Sequence, residues 1–119
     1  MTPVTVEYYM SRESLDNVVR TLIDHLGFLA VNNLSGLTLP HDWEHFIDPT
    51  WPTEVQEARL RLAFKVLLLL QTKLDIRASV VWFSQPSSYL GHQSPIHALR
   101  NDMPNVLYAG IKEIYKDSW

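Results

Sequence analysis

Two histidines and a glutamate in the first half of the chain have the spacing of a zinc-peptidase motif. His41, Glu44 and His45 form the pattern H-x-x-E-H, in which the histidines ligate zinc and the glutamate is the catalytic base. Those enzymes carry the motif on a long helix and add a third ligand, whereas Pro40 and Pro49 leave room here for about two helical turns. We interpret the segment as a surface helix and predict no metal site. A small metal-dependent enzyme is the alternative.

The chain has neither a cysteine nor a hydrolase-type serine that would serve as another nucleophile. The absence of cysteine also excludes disulfide bonds and thiolate metal sites. No serine stands in the G-x-S-x-G turn of the α/β-hydrolases. We therefore predict a protein that is not an enzyme, with no catalytic residue and no cofactor.

The bulk composition is typical of one globular domain. Of 119 residues, 46% are apolar and 19% are charged, so the chain can bury one sizeable core. The formal net charge of -3 disfavours a nucleic-acid binder, because such proteins usually present a basic face. The longest apolar run, Val66 to Leu70, is far shorter than the roughly 20 residues of a membrane span, and residues 1–10 lack a signal-peptide pattern. We expect a cytoplasmic protein without a membrane segment.

The most secure predicted element is a long helix in the middle of the chain. Thr53 and Gln56 have the spacing of a capping box, and Pro52 favours a first helical turn. Between Ala63 and Leu70 the helix is apolar on nearly all sides, so other helices must surround it. The sequence therefore predicts an all-α fold, a compact bundle of about five or six helices around a central apolar helix at about 53–74, with a short extended N-terminal arm.

The flanking segments supply the arm and the other predicted helices. Residues 2–9 are β-prone and predict the arm. Apolar residues recur at spacings of three and four between Leu15 and Leu26, which predicts a helix capped by Ser11 and ending near Gly27. Further helices are predicted in 28–39, 40–47, 76–84 and 95–100 and from Pro104 onwards. In the last helix, the large apolar residues predicted to lie on or near one face are Val106, Leu107, Ile111, Ile114 and Tyr115.

The order of features between residues 57 and 116 resembles a known pattern. The central helix precedes a short helix with an alanine and a tryptophan, then a proline, a Leu-Gly pair, a Ser-Pro helix start and a leucine. These motif residues are Ala78, Trp82, Pro86, Leu90, Gly91, Pro95 and Leu99. The order is similar to the toxin-binding domain of the Xre/MbcA/ParS antitoxins, although Ser87 stands where that family has asparagine and no glycine occurs near Asp117.

The resemblance implies a non-catalytic protein that binds and neutralises a RES-domain toxin, an enzyme that degrades NAD. The antitoxin of such a type II toxin–antitoxin system would cover the toxin's NAD cleft sterically, as a homodimer or as a hetero-oligomer with the toxin. An acidic chain suits a cleft that is basic enough to hold the NAD pyrophosphate. The implied partner-contact residues are Ser84, Gln85, Tyr89, His92, Gln93, His97, Arg100 and Trp119.

Aromatic and histidine side chains in this half have different expected roles. Trp82 is expected to fill the core, whereas Tyr89 lies on a loop and is expected to present a rigid aromatic surface. Trp119 either folds back on the last helix or, as the resemblance favours, anchors in a partner. His92 and His97 flank a turn, where they face solvent or make polar contacts to the partner.

Residues 1–56 give no clear sign of the helix-turn-helix that the antitoxin family carries at its N-terminus. No lysine or arginine occurs between Arg20 and Arg59, although phosphate contacts supply most of the affinity of such domains. We therefore divide the chain into an N-terminal helical region, 1–56, and an antitoxin-like region, 57–119, within one compact unit. A DNA-binding transcriptional regulator with a degenerate helix-turn-helix is the alternative function.

Overall fold

The structure is a computed structural model that describes residues 14–37, 53–103 and 105–116. These segments contain no β-strand and confirm the predicted all-α fold. The helices are α1 (Leu15–Leu26), α2 (Phe28–Ser35), α3 (Glu54–Leu70), α4 (Ile76–Trp82), α5 (Pro95–Arg100) and α6 (Val106–Tyr115), with a 3₁₀ turn at Ser88–Leu90 between α4 and α5. The predicted N-terminal arm, the predicted helix at 40–47 and the H-x-x-E-H motif lie outside the described residues.

Side-chain oxygens cap the N-termini of four of the helices and so determine where these helices start. The Ser14 hydroxyl accepts from the Asn17 N–H at 3.3 Å, so α1 begins behind Ser14 and the predicted cap at Ser11 is wrong. Thr53 and Gln56 form the predicted capping box, in which each side chain accepts from the other's backbone N–H. The remaining side-chain caps are Asp75 at α4 and Ser94 at α5.

Helix α3 lies at the centre of the core. All five other α-helices of the described segments contact it, which is the arrangement that its nearly continuous apolar surface predicts. α1 contributes fully buried side chains to the same core, and α2 packs on both α3 and α5. The fully buried aliphatic side chains of α1 and α3 are Val18, Val19, Leu22, Leu60, Ala63, Val66, Leu67 and Leu70. No helix in the described segments has both the length and the apolar character needed to cross a bilayer.

A glycine sets the close approach of α6 to α3. A Cβ atom at Gly110 would lie 3.1 Å from Cγ1 of Val66 and 3.8 Å from Cη2 of Trp82. The face of α6 that carries Gly110 is therefore the buried one, together with its neighbours Val106, Ala109 and Ile114. Ile111 and Tyr115, which were predicted on or near one face with Val106 and Ile114, are exposed.

Two arginines cap the C-terminal end of α2. The last carbonyls of a helix have no partner within it. Here Nη1 of Arg59 donates to the Ser35 carbonyl at 2.9 Å, and Nη1 of Arg100 donates to the Asn33 carbonyl at 3.1 Å. Arg59 also donates Nε and Nη2 to the two carboxylate oxygens of Asp102, at 2.8 and 2.7 Å. This arginine clamp (Arg59, Arg100 and Asp102) ties α2 to α3 and to the segment after α5.

The clamp is expected to make stability depend on pH in the acid range. Hydrogen bonds from Arg59, aided by its positive charge, hold the pKa of Asp102 below its ordinary value of 3.8. When a carboxyl group has a lower pKa in the folded state than in the unfolded state, it stabilises the fold at pH values above its unfolded-state pKa. That stabilisation is lost as the pH falls through its folded-state pKa. The difference in unfolding free energy between wild type and Asp102→Asn should therefore shrink as the pH falls from about 6 to about 3.

Urea unfolding at a series of pH values measures that difference. Asp24→Asn on the exposed side of α1 is the matched control, since it removes one carboxylate without touching the clamp. A difference between wild type and Asp102→Asn that stays constant over this pH range would contradict the assigned role of the Arg59–Asp102 pair.

Candidate partner-binding surface

A compact turn between α4 and α5, residues 84–93, carries most of the predicted contact residues. Its own backbone holds it closed, because the Ser87 N–H donates to the Gln93 carbonyl at 3.0 Å and the His92 N–H donates to the Ser87 carbonyl at 2.8 Å. Leu90 is fully buried beneath it. The turn is therefore a fixed shape attached to the core and not a free loop.

Two successive left-handed residues complete the turn. Gly91 has φ 63° and His92 has φ 66°, a conformation that only glycine adopts without strain. The Leu-Gly pair of the sequence pattern predicts a turn of the chain, and Gly91 lies in that turn. His92 pays a conformational cost there, and the backbone hydrogen bonds of the 84–93 turn offset it.

The predicted contact residues lie at or near the surface on the turn and on α5. Gln93 is partly exposed, and its Oε1 is buried with no hydrogen-bond partner among the described residues. The guanidinium of Arg100 already binds the Asn33 carbonyl, so it holds α2 in place as well as facing solvent. Trp119 lies outside the described residues. The exposed members of the predicted set are Ser84, Gln85, Tyr89, His92, His97 and Arg100.

The motif residues that suggested the antitoxin resemblance divide into buried and exposed groups. The buried ones join the turn to the core, and Pro95 among them is the first residue of α5. Ala78 is exposed on α4, where its N–H donates to the Asp75 carboxylate at 2.7 Å. The buried members are Trp82, Leu90, Pro95 and Leu99, and the exposed members are Ala78, Pro86 and Gly91.

Tyr89 connects the turn to the outward side of α6. Its ring meets the ring of Tyr108 edge to face, with centroids 5.7 Å apart, a favourable geometry for an aromatic pair. Tyr89 is 48% exposed, and the exposed fractions of Tyr108, Ile111 and Tyr115 are 50%, 37% and 36%. The 84–93 turn and α6 therefore present one continuous, largely aromatic surface.

A shallow cavity lies between the turn and α6. Its volume is about 180 Å³, which suits one side chain and not a nucleotide. Its lining includes the apolar side chain of Trp82, and Ser87 of the turn and Glu113 of α6 provide polar groups. Glu113 is also bound to Nζ of Lys116 at 2.8 Å. The cavity therefore has room beside Tyr89 for one side chain of a partner.

The exposed residues of α6 are the part of this surface that the sequence interpretation missed. Ile111 and Tyr115 were predicted on or near one face with Val106 and Ile114, and Tyr108 was not singled out. The smaller neighbours Ala109 and Gly110 carry the signal that would have corrected this, because small residues mark the side on which a helix approaches another closely. Tyr108, Ile111 and Tyr115 then fall on the opposite side at helical spacing.

The connection between α1 and α2 is shorter than that of a helix-turn-helix. Gly27 alone separates the two helices, with φ 90°, whereas the DNA-binding motif joins its helices by a turn of about three or four residues. Phe28 therefore begins α2 directly after the glycine.

Comparison of this chain with protein-family models, curated proteins and solved structures finds no match. The resemblance to the antitoxins accordingly rests on the residues between 57 and 116. The surface formed by the 84–93 turn and α6 is the place where that resemblance can be tested.

Proposed function

We propose that this protein is an antitoxin of a type II toxin–antitoxin system that binds a RES-domain, NAD-degrading toxin in the cytoplasm. It performs no chemistry of its own and inhibits the toxin by covering the NAD cleft. The observation that carries the proposal is the ordered set of motif residues, in which Trp82, Leu90 and Leu99 are buried, while the predicted contact residue Tyr89 beside Leu90 is 48% exposed. The motif thus builds a rigid platform for a contact side chain.

The chemistry of the turn suits an interface. Tyrosine supplies a large contact area at a low cost in side-chain entropy, and interface hot spots are enriched in it. Around Tyr89, the exposed Gln85, His92 and His97 supply hydrogen-bond donors and acceptors for a polar rim. A turn whose backbone is already closed loses little further entropy on binding. These features support tight binding without any conformational change in the antitoxin.

Electrostatics supports the same partner. The chain carries a formal net charge of -3, and a cleft that binds the pyrophosphate of NAD must present positive charge. Complementary charge raises the association rate of two proteins, and dissolved salt screens this effect. Association of the two proteins is therefore expected to slow as salt is added.

Replacing Tyr89 with alanine is expected to weaken inhibition of the toxin by about 30-fold, as expected for a hot spot worth about 2 kcal/mol. The measurement is NAD consumption by a purified RES-domain toxin, titrated with wild-type or variant antitoxin. Tyr89→Phe should retain most of the effect, because it keeps the ring.

Leu29→Ala is the matched control for this substitution. Leu29 is 88% exposed on α2, so its truncation also removes an exposed apolar side chain but leaves the turn intact. A Tyr89→Ala protein that melts like the wild type and inhibits equally well would remove Tyr89 from the interface.

A further inference from the structure

The outward side of α6 forms a second feature beside the 84–93 turn. Tyr108, Ile111, Lys112 and Tyr115, here called the α6 outer face, follow one another at spacings of three, one and three residues. That spacing places them in a single stripe over about two helical turns. The stripe is straight and apolar apart from the lysine, which is the shape that a second helix packs against.

Lysines lie over the aromatic rings of this face. Nζ of Lys112 lies 5.3 Å from the ring centroid of Tyr108, and Nζ of Lys73 lies 6.0 Å from that of Tyr115. Both contacts are within the range of cation–π attraction, which holds the ammonium groups at the edge of the stripe. Two ammonium groups therefore lie beside the rings of the face, although the whole chain has a net charge of -3. Its occupant should bring carboxylates.

Charge argues against a second copy of this chain as the occupant. In a twofold-symmetric contact the same patch meets itself. Ile111 and Lys112 lie midway between Tyr108 and Tyr115, so an antiparallel pair of α6 helices centred on the face would bring the two Lys112 side chains together. Like charges juxtaposed at an interface are strongly unfavourable. A different protein with acidic residues could bind this face without bringing like charges together.

We propose that the α6 outer face binds an acidic, amphipathic helix of the toxin, as a second contact beside that of the 84–93 turn. This inference rests on the proposed function, because it takes the toxin as the source of the helix. Apolar side chains of that helix pack between Tyr108, Ile111 and Tyr115. Its carboxylates pair with Lys73 and Lys112 at the two edges.

Two variants of this protein test the apolar and the charged parts separately. Tyr108→Ala with Tyr115→Ala should weaken binding of the purified RES-domain protein at least about tenfold. Lys73→Glu with Lys112→Glu should slow association and reduce its dependence on salt, because it reverses the charge that attracts the carboxylates. Arg20→Glu with Arg77→Glu, on α1 and α4, makes the same change in net charge away from the face and should have a much smaller effect.

Surface-binding kinetics at several salt concentrations, with thermal melting of each variant, distinguish the outcomes. If the wild type binds the toxin, the Tyr89→Ala variant binds weakly and both α6 variants bind normally, the inference is overturned while the proposed function stands. If the wild type does not bind the toxin, both fail. Sedimentation that finds a wild-type dimer which Tyr108→Ala dissociates would assign the face to a second copy and overturn the inference. If the variant with Tyr108→Ala and Tyr115→Ala fails to fold, the variant with Lys73→Glu and Lys112→Glu still tests the inference.

Discussion

Replacing Phe83 with alanine is expected to lower the free energy of unfolding by about 3–5 kcal/mol, the usual cost of deleting a fully buried phenylalanine. Phe83 is 0% exposed, and its ring meets that of Trp82 edge to face at 5.2 Å. Its carbonyl accepts from the Ile96 N–H at 3.1 Å, which joins the end of α4 to α5. The substitution therefore leaves a cavity where both ends of the 84–93 turn are attached.

A loss of that size is a large part of the roughly 5–15 kcal/mol by which a domain of this kind is stable. Urea unfolding followed by circular dichroism, which reports on the loss of helix, measures it. Val81→Ala is the control, because Val81 lies two residues earlier and is 45% exposed; it should change stability by less than about 1 kcal/mol. A Phe83→Ala protein as stable as the Val81→Ala protein would mean that Phe83 does not support the turn.

Replacing Gly36 with alanine is expected to lower the free energy of unfolding by about 2–4 kcal/mol, through two causes that add. The first is backbone conformation, because Gly36 has φ 84° and ends α2 in the left-handed region. The second is contact, because a Cβ atom there would lie 2.9 Å from Nη1 of Arg59. Moving the guanidinium away would strain its bonds to Ser35 and Asp102 in the arginine clamp.

Gly91→Ala separates the two causes. Gly91 has φ 63°, and a Cβ atom there meets nothing within 4 Å, so only the backbone cost of about 1–2 kcal/mol is expected. Urea unfolding of both variants gives the comparison. Equal losses at Gly36 and Gly91 would show that the guanidinium moves freely and that the clamp contributes little.

Much of the fold follows from local signals in the sequence. The capping box at Thr53 and Gln56 and the Ser94–Pro95 start are visible in short stretches, because their hydrogen bonds join residues three apart. The apolar character of α3 predicts that other helices surround it. The start of α1 was misplaced since Ser11 and Ser14 are both acceptable caps, and only the observed bond from Asn17 to Ser14 decides between them.

Other features depend on contacts between distant residues, so no local pattern predicts them. Arg59 and Asp102 are 43 positions apart, and nothing near either residue indicates the other. Arg100 was predicted to contact a partner, yet its guanidinium binds the end of α2. The exposure of Tyr89 follows from its place on a loop, whereas that of Tyr115 depends on which side of α6 meets α3. Binding of a partner by these residues stays a prediction.

The central claim is that this protein inhibits a RES-domain toxin by covering its NAD cleft, and NAD consumption by that toxin tests it most directly. A purified RES-domain toxin is incubated with NAD while the wild-type protein is added in increasing amounts. We predict that NAD consumption falls in proportion to the added protein and stops near an equimolar ratio. NAD consumption that continues unchanged in the presence of a large molar excess would contradict the account.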